Sequence, residues 1–211
     1  MALDASIRKR IEGFLAAGGA EGSRLSADGR RLWRHAQKWI RQHLITPTSP
    51  EALELACLAL QLPMKNLAAL SVGRFGQVSL RDRAEAAIEI LVGKLGDQID
   101  GTLLDATTEL LQEMFQRKPR SEEARLLADV VNLEDFGVSG IVQQAILVAA
   151  RGQGIDELLE AAEKRDAYGY FEARLKDGFH FGPVRELARR RLARGRQVIE
   201  LLKSELSETE E

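Results

Sequence analysis

A chain of 211 residues, 45% apolar and 29% charged, is long enough to bury a core and too apolar to stay disordered. Its single cysteine excludes an internal disulfide framework, and no apolar run approaches the roughly 18 residues that span a bilayer. Thirty basic against 32 acidic residues give a net charge of −2, which supplies no global attraction to nucleic acid.

The start, Met1-Ala-Leu-Asp-Ala-Ser6, runs into Arg8-Lys9-Arg10 with no apolar core behind it. A secretory signal is therefore not expected, and the chain reads as cytoplasmic. A helix is expected over 3–17. Leu32, Ala36, Trp39, Ile40 and Leu44 recur at three- and four-residue steps, the mark of an amphipathic helix. Thr46-Pro-Thr-Ser-Pro50 breaks it. Ser49 then suits an N-cap and Pro50 the first helical position, where a missing N–H costs nothing. That helix is expected to run to about Leu62, with Pro63 ending it.

Residues 66–78 read as a looser segment punctuated by Gly73 and Gly76. Ser79-Leu-Arg-Asp82 resembles a capping box opening a helix that carries Ala84, Ala87, Ile88, Leu91 and Val92 on one side. Thr102 to Phe115 is the next helix. Pro119 breaks the chain, and Ser121 caps the helix that follows. Val138 to Ala149 has the Ile and Val content of a strand, but nothing elsewhere offers a pairing partner, so it reads as helix. Ile155 to Glu163 and Pro183 to Glu205 complete the set, with an acidic, frayed tail at 206–211. The expectation is one all-α domain over 1–211, a bundle of eight to ten helices with its core at about 30–205.

Motifs for other chemistries are missing. No Gly-x-Ser-x-Gly occurs, and Cys57 lies in an apolar helical run as a small buried hydrophobe. Gly152-Gln-Gly154 lacks the preceding strand and the Lys-Ser/Thr of a phosphate loop, so a turn accounts for it. His43 and His180 have no zinc-type partners in sequence, and His180, between Phe179 and Phe181, is expected to pack. Arg185, Arg189, Arg190, Arg191, Arg194 and Arg196 crowd the last helix. A candidate anion-binding stripe of Arg185, Arg189, Arg190 and Arg194 is weighed against an ordinary solvated face paired with nearby Glu residues, and the second is favoured. No aromatic residues interleave to stack bases, which disfavours nucleic acid.

Glu54-Leu-Ala-Cys-Leu-Ala-Leu-Gln-Leu-Pro-Met-Lys65 resembles the metal-site helix of the HD-domain superfamily of metal-dependent phosphohydrolases. There, a run of small and apolar residues leads into His-Asp and then Lys. Lys65 is in place, but Gln61 and Leu62 stand where His-Asp belongs. Arg34-His35-Ala-Gln-Lys-Trp-Ile40 resembles the helix with the family's first metal-binding histidine, so His35 maps onto that ligand. Arg83 holds the place of a histidine that many members carry before Ala-Glu. In Glu123 to Gly137, Val131 falls on the final metal-binding aspartate, and Asp129 and Glu134 keep the flanking acids. Tyr170-Phe-Glu-Ala-Arg-Leu175 and Arg185 to Arg194 are similar to the closing helices of bacterial members.

The resemblance implies an HD-type bundle in which His35 alone survives of four core metal ligands. One imidazole and one amide bind a hard divalent cation weakly, because such ions want several oxygen ligands. No metal and no cofactor are therefore expected, and His35, Gln61, Leu62, Lys65, Arg83, Asp129, Val131 and Glu134 become a vestigial pocket. His35 also reads as a structural residue beside Trp33 and Trp39, Gln61 as a backbone-satisfying side chain, and Lys65 as a solvated charge.

Three functions compete. The first is a non-catalytic HD-like module that binds a small phosphate-bearing ligand, a regulatory protein partner or a second copy of itself. The second is a divergent but active phosphohydrolase, with a divalent metal held by acids such as Glu85, Asp129, Glu134 or Asp135. The third is nucleic-acid binding through the last helix. They rank in that order.

Overall fold

The computed structural model describes residues 3–17, 19–65 and 78–207. Among them are ten α-helices and no extended strand. The chain is all-α, and its helix count is within the range read from the sequence. No helix is long and apolar enough to cross a membrane among the described residues. Gly73, Gly76 and the tail beyond Ser207 lie outside them. The described residues divide into two compact units, one reaching Val130 and one beginning at Val131.

The first unit contains α1 (Ala5–Ala16), α2 (Ala20–Arg41), α3 (Pro50–Ala59), α4 (Leu80–Ile90), α5 (Gly101–Glu113) and most of α6 (Glu122–Leu133). Ser49 caps α3 as expected, its hydroxyl accepting from the Ala52 N–H at 3.4 Å, with Pro50 in the first turn. The helix stops at Ala59, earlier than the expected Leu62. Pro63 has no N–H to return to Ala59, and its ring disfavours helical backbone at the residue before it. The Gln61 and Leu62 N–H groups therefore reach back only three residues, to Leu58 and Ala59, in a tightened turn.

Helix α3 is enclosed on all sides, with every residue from Ala52 to Ala59 buried and Glu54 the one charged side chain among them. It packs against α2 and α5. Gly29 makes the close approach of α2 to α3 feasible, since a Cβ there would lie 3.0 Å from Leu58 Cδ2 and 3.2 Å from Gln61 Cγ. Helix α2 begins at Ala20, well before the periodic run that begins at Leu32. Around Leu25, Gly22, Ser26, Asp28 and Gly29 extend the buried stripe through residues too small or polar to register in a hydrophobic pattern. Ser79 caps α4 through the Asp82 N–H, and Asp100, which the sequence reading missed, caps α5. A π-helical turn, Leu91–Leu95, follows α4 and turns Leu91 and Leu95 inward.

The second unit holds the end of α6, then α7 (Val138–Ala149), α8 (Ile155–Ala167), α9 (Tyr170–Asp177) and α10 (Gly182–Ser207). The 138–149 segment is helical, as argued. Phe136 is fully buried in edge-on contact with Phe171 and Phe179, with centroids 5.3 and 5.4 Å apart. Phe179, not its neighbour, takes the interior position, so His180 is exposed rather than packed. Gly137 enters α7 with φ of +81°, and a Cβ there would sit 2.9 Å from Arg191 Cβ. Across from it a Cβ on Gly195 would come within 3.0 Å of Gly137 Cα. Two glycines let α10 cross the turn into α7 backbone to backbone.

Candidate functional site

Of the pocket residues that the sequence suggested, His35, Gln61, Leu62, Lys65, Arg83 and Asp129 belong to the first unit, and Val131 and Glu134 to the second. His35 is half-buried on α2, one turn before the buried Trp39. Gln61 is buried, and Leu62, 1% exposed, is a core side chain at the end of α3. Asp129 is fully enclosed on α6, and Val131 is 5% exposed.

The two cations of this set bind backbone carbonyls. Lys65 is half-buried, not a solvated charge: its Nζ donates to the Phe14 carbonyl at 2.8 Å and lies 4.9 Å from the Phe14 ring centroid. Phe14 is in the last turn of α1, where carbonyls lack helical partners and the helix dipole is negative. Arg83 Nε donates to the Leu60 carbonyl at 2.9 Å, at the C-cap of α3. A cation near each helix end offsets the same negative pole.

As a donor set for a divalent cation, an imidazole, an amide and two aliphatic side chains do not fit. Among the described residues, no three His, Cys, Asp or Glu side chains are grouped so as to hold a metal ion. Asp135 and Glu85, candidates for a divergent metal site, do not change this. Asp135 Oδ2 pairs with Arg174 at 2.9 Å and accepts from the Tyr170 hydroxyl at 3.1 Å, and Glu85 is exposed.

Three further buried carboxylates of the first unit have partners that no local pattern reports. Glu54, 3% exposed, accepts from Arg8 Nε and Nη2 at 2.8 and 2.6 Å and from the Leu3 N–H at 3.2 Å. Glu123 accepts from the Thr48 N–H at 2.5 Å. Glu113 accepts from the Arg120 N–H, from the Ser121 N–H at 2.9 Å and from the Ser121 hydroxyl at 2.5 Å. Burial works against a charge on Glu113, but the Ser121 hydroxyl and the two N–H groups outweigh it and hold the carboxyl below its ordinary range. Three acids thus fasten three non-helical segments.

In the second unit, most of the arginine stripe has local partners. Arg185 Nη2 donates to the Phe179 carbonyl at 2.6 Å, Arg189 pairs with Glu186, and Arg190 lies 3.9 Å from the same carboxylate. Arg194 is exposed and makes no ion pair among the described residues. Arg191 donates to the Leu133 carbonyl at 3.3 Å, and Arg196 joins Asp166 and Glu172 at 2.9 and 2.6 Å. The arrangement is a paired helix face.

Beside it lies a polar cluster without a sequence signature. Arg174 bonds the Tyr170 hydroxyl at 2.5 Å and the Asn132 side chain, while Asn132 donates to the Gly178 carbonyl at 2.6 Å. Arg165 and Arg174 lie 5.4 and 5.3 Å from the Tyr170 ring centroid. Burial, with the Asp135 charge adding to it, pushes the Tyr170 hydroxyl up to about 12. It stays protonated as a donor.

No family model and no curated protein matches this chain. Solved structures do, among them three of YpgQ from Bacillus subtilis. The selenomethionine form matches with a TM-score of 0.59 at 17% identity, over 95% of this chain and 96% of that one. A complex of YpgQ with ADP gives 0.57 and 19% over 95% and 93%. A third YpgQ structure gives 0.58 and 17% over 95% and 95%. At such identity the likeness shows the fold alone: this chain shares an all-helical fold with YpgQ.

Proposed function

We propose that this chain is an HD-like module that binds without hydrolysing, having given up the metal that the fold family uses. The observation that carries this reading is Leu62, a 1%-exposed core leucine at the position where the resemblance puts an acid. Val131 supports it at the opposite end of the same sequence pattern. Lys65 and Arg83 support it too, because their charges serve helix ends rather than a metal-bound phosphate. Glu54, Glu113 and Glu123 are likewise committed to structural hydrogen bonds.

The ligand of the module is small and phosphate-bearing. YpgQ has been captured with ADP, and that complex makes a nucleoside diphosphate the first probe here. Calorimetric titration of ADP into protein stripped of metal by EDTA tests the reading. Saturable binding, unchanged when Mn2+ is added back, is expected. Binding that appears only with Mn2+ and is followed by phosphate release contradicts it.

A further inference from the structure

Two stretches of the first unit carry cations and no acid. Residues 29–50 hold Arg30, Arg31, Arg34, Lys38 and Arg41, and residues 114–121 hold Arg117, Lys118 and Arg120. In a chain of net charge −2 this is a local segregation of charge. The fold joins the two stretches. The Thr48 N–H donates to Glu123 at 2.5 Å, which ties the loop after α2 to the first turn of α6, directly behind the 114–121 turn.

That turn is held from inside. Glu113 accepts from the Arg120 and Ser121 N–H groups and from the Ser121 hydroxyl, and Arg125 Nε donates to the Pro119 carbonyl at 2.8 Å. Its cations are therefore presented on ordered backbone, which lowers the entropy lost on binding. On α2, steps of four and three place Arg34, Lys38 and Arg41 on one side of the helix.

Arg30 meets Glu12 at 2.7 Å and Arg31 meets Asp28 at 2.6 Å. Arg34, Lys38, Arg41, Arg117, Lys118 and Arg120 make no ion pair among the described residues, and all but the half-buried Lys38 are exposed. Of the acids that border the two stretches, Glu113 and Glu123 are buried against backbone N–H groups. Glu51 and Glu122 balance two of the six cations at most. Side-chain chemistry then selects the partner. The exposed large apolar residues among those described are Val92, Val138, Val142, Ile155, Tyr168 and Leu201, and none falls in either stretch. A protein interface is anchored by aromatic or aliphatic side chains, and a membrane-surface helix buries an apolar face. A nucleic-acid backbone asks for neither, because charge-assisted hydrogen bonds and counterion release hold it. Four of the six cations are arginines, whose forked donors match phosphate oxygens in pairs.

We propose that the second half of α2 and the α5–α6 turn form a surface that holds a nucleic acid by its phosphate backbone, without reading its bases. This goes beyond the ADP reading and uses other residues. It also differs from the arginines of α10, where Arg189 and Arg190 lie against Glu186.

Fluorescence anisotropy of a labelled DNA duplex of about 20 base pairs, titrated with the full chain from about 50 to 200 mM salt, tests it. Saturable binding is expected, with a slope of log K against log salt of about −4 to −5 for six cations on phosphates. The triple variants Arg34→Glu/Lys38→Glu/Arg41→Glu and Arg117→Glu/Lys118→Glu/Arg120→Glu are each expected to weaken binding about 100-fold or more at low salt. Arg189→Glu/Arg190→Glu on α10 is expected to leave it unchanged. The same triples made to Gln carry the test if a charge reversal does not fold, each making the salt slope shallower by about 2–3. No binding at low salt, equal weakening by the α10 variant, or a salt slope that neither triple alters overturns the proposal. Tighter binding to polyglutamate, or to vesicles of phosphatidylcholine and phosphatidylserine in equal parts, than to the duplex overturns it as well.

Discussion

Helices α3 and α7 each bury a polar side chain, in different settings. On α3, Glu54 is surrounded by core and spends both carboxylate oxygens on Arg8 and the Leu3 N–H. On α7, Gln144 accepts from Arg165 in the wall of a cavity of about 240 Å3. The first unit closes around its polar groups and uses them to hold its own chain. The second leaves polar groups next to open space. Polar burial with every partner internal argues for architecture.

That contrast can be broken at Leu62. Leu62→Asp introduces the acid that the resemblance implies at this place, but at a position 1% exposed in a packed core. It removes buried apolar area and encloses a carboxyl, so a loss of more than about 4 kcal/mol in urea unfolding is expected. A variant as stable as the parent, or one rescued by Mn2+, shows that the first unit still has room for chemistry.

Glu113 gives a smaller effect that sharpens the same contrast. Glu113→Gln is expected to cost about 1–2 kcal/mol at neutral pH, since charge-assisted bonds to the 120–121 turn become neutral ones. The carboxyl's folded pKa lies below its ordinary value of 4.5. Its contribution is therefore present above that value and lost as pH falls through the folded one. Melts of parent and variant should converge below about pH 4.5. A gap that persists into acid assigns the effect to packing instead.

The helices were legible where apolar spacing was strong. The Ser49-Pro50 start of α3 stands as read, because capping is a local property, and Val138–Ala149 is helical as argued from the lack of a pairing strand. The early start of α2 was not, because Gly22 and Ser26 are buried by a neighbouring helix that no local pattern reports. The early end of α3 follows from Pro63 acting several residues upstream. At the candidate site, sequence pointed to Leu62 as out of place, and its burial explains what the residue does instead. Lys65 read as a solvated charge and Arg83 as the occupant of a histidine's place, because their carbonyl partners lie 51 and 23 residues away. The Gln144–Arg165 pair had no signature at all, since two polar residues 21 apart say nothing until α7 and α8 are packed.

The central proposal is a module resembling the HD superfamily that works without a metal. Elemental analysis of the chain purified without chelator, from cells grown with added Mn, Fe, Ni and Zn, tests it most directly. The account predicts metal far below one equivalent per chain and no phosphate release from ADP. One equivalent of any of these metals, together with turnover lost on chelation and regained on reloading, contradicts it.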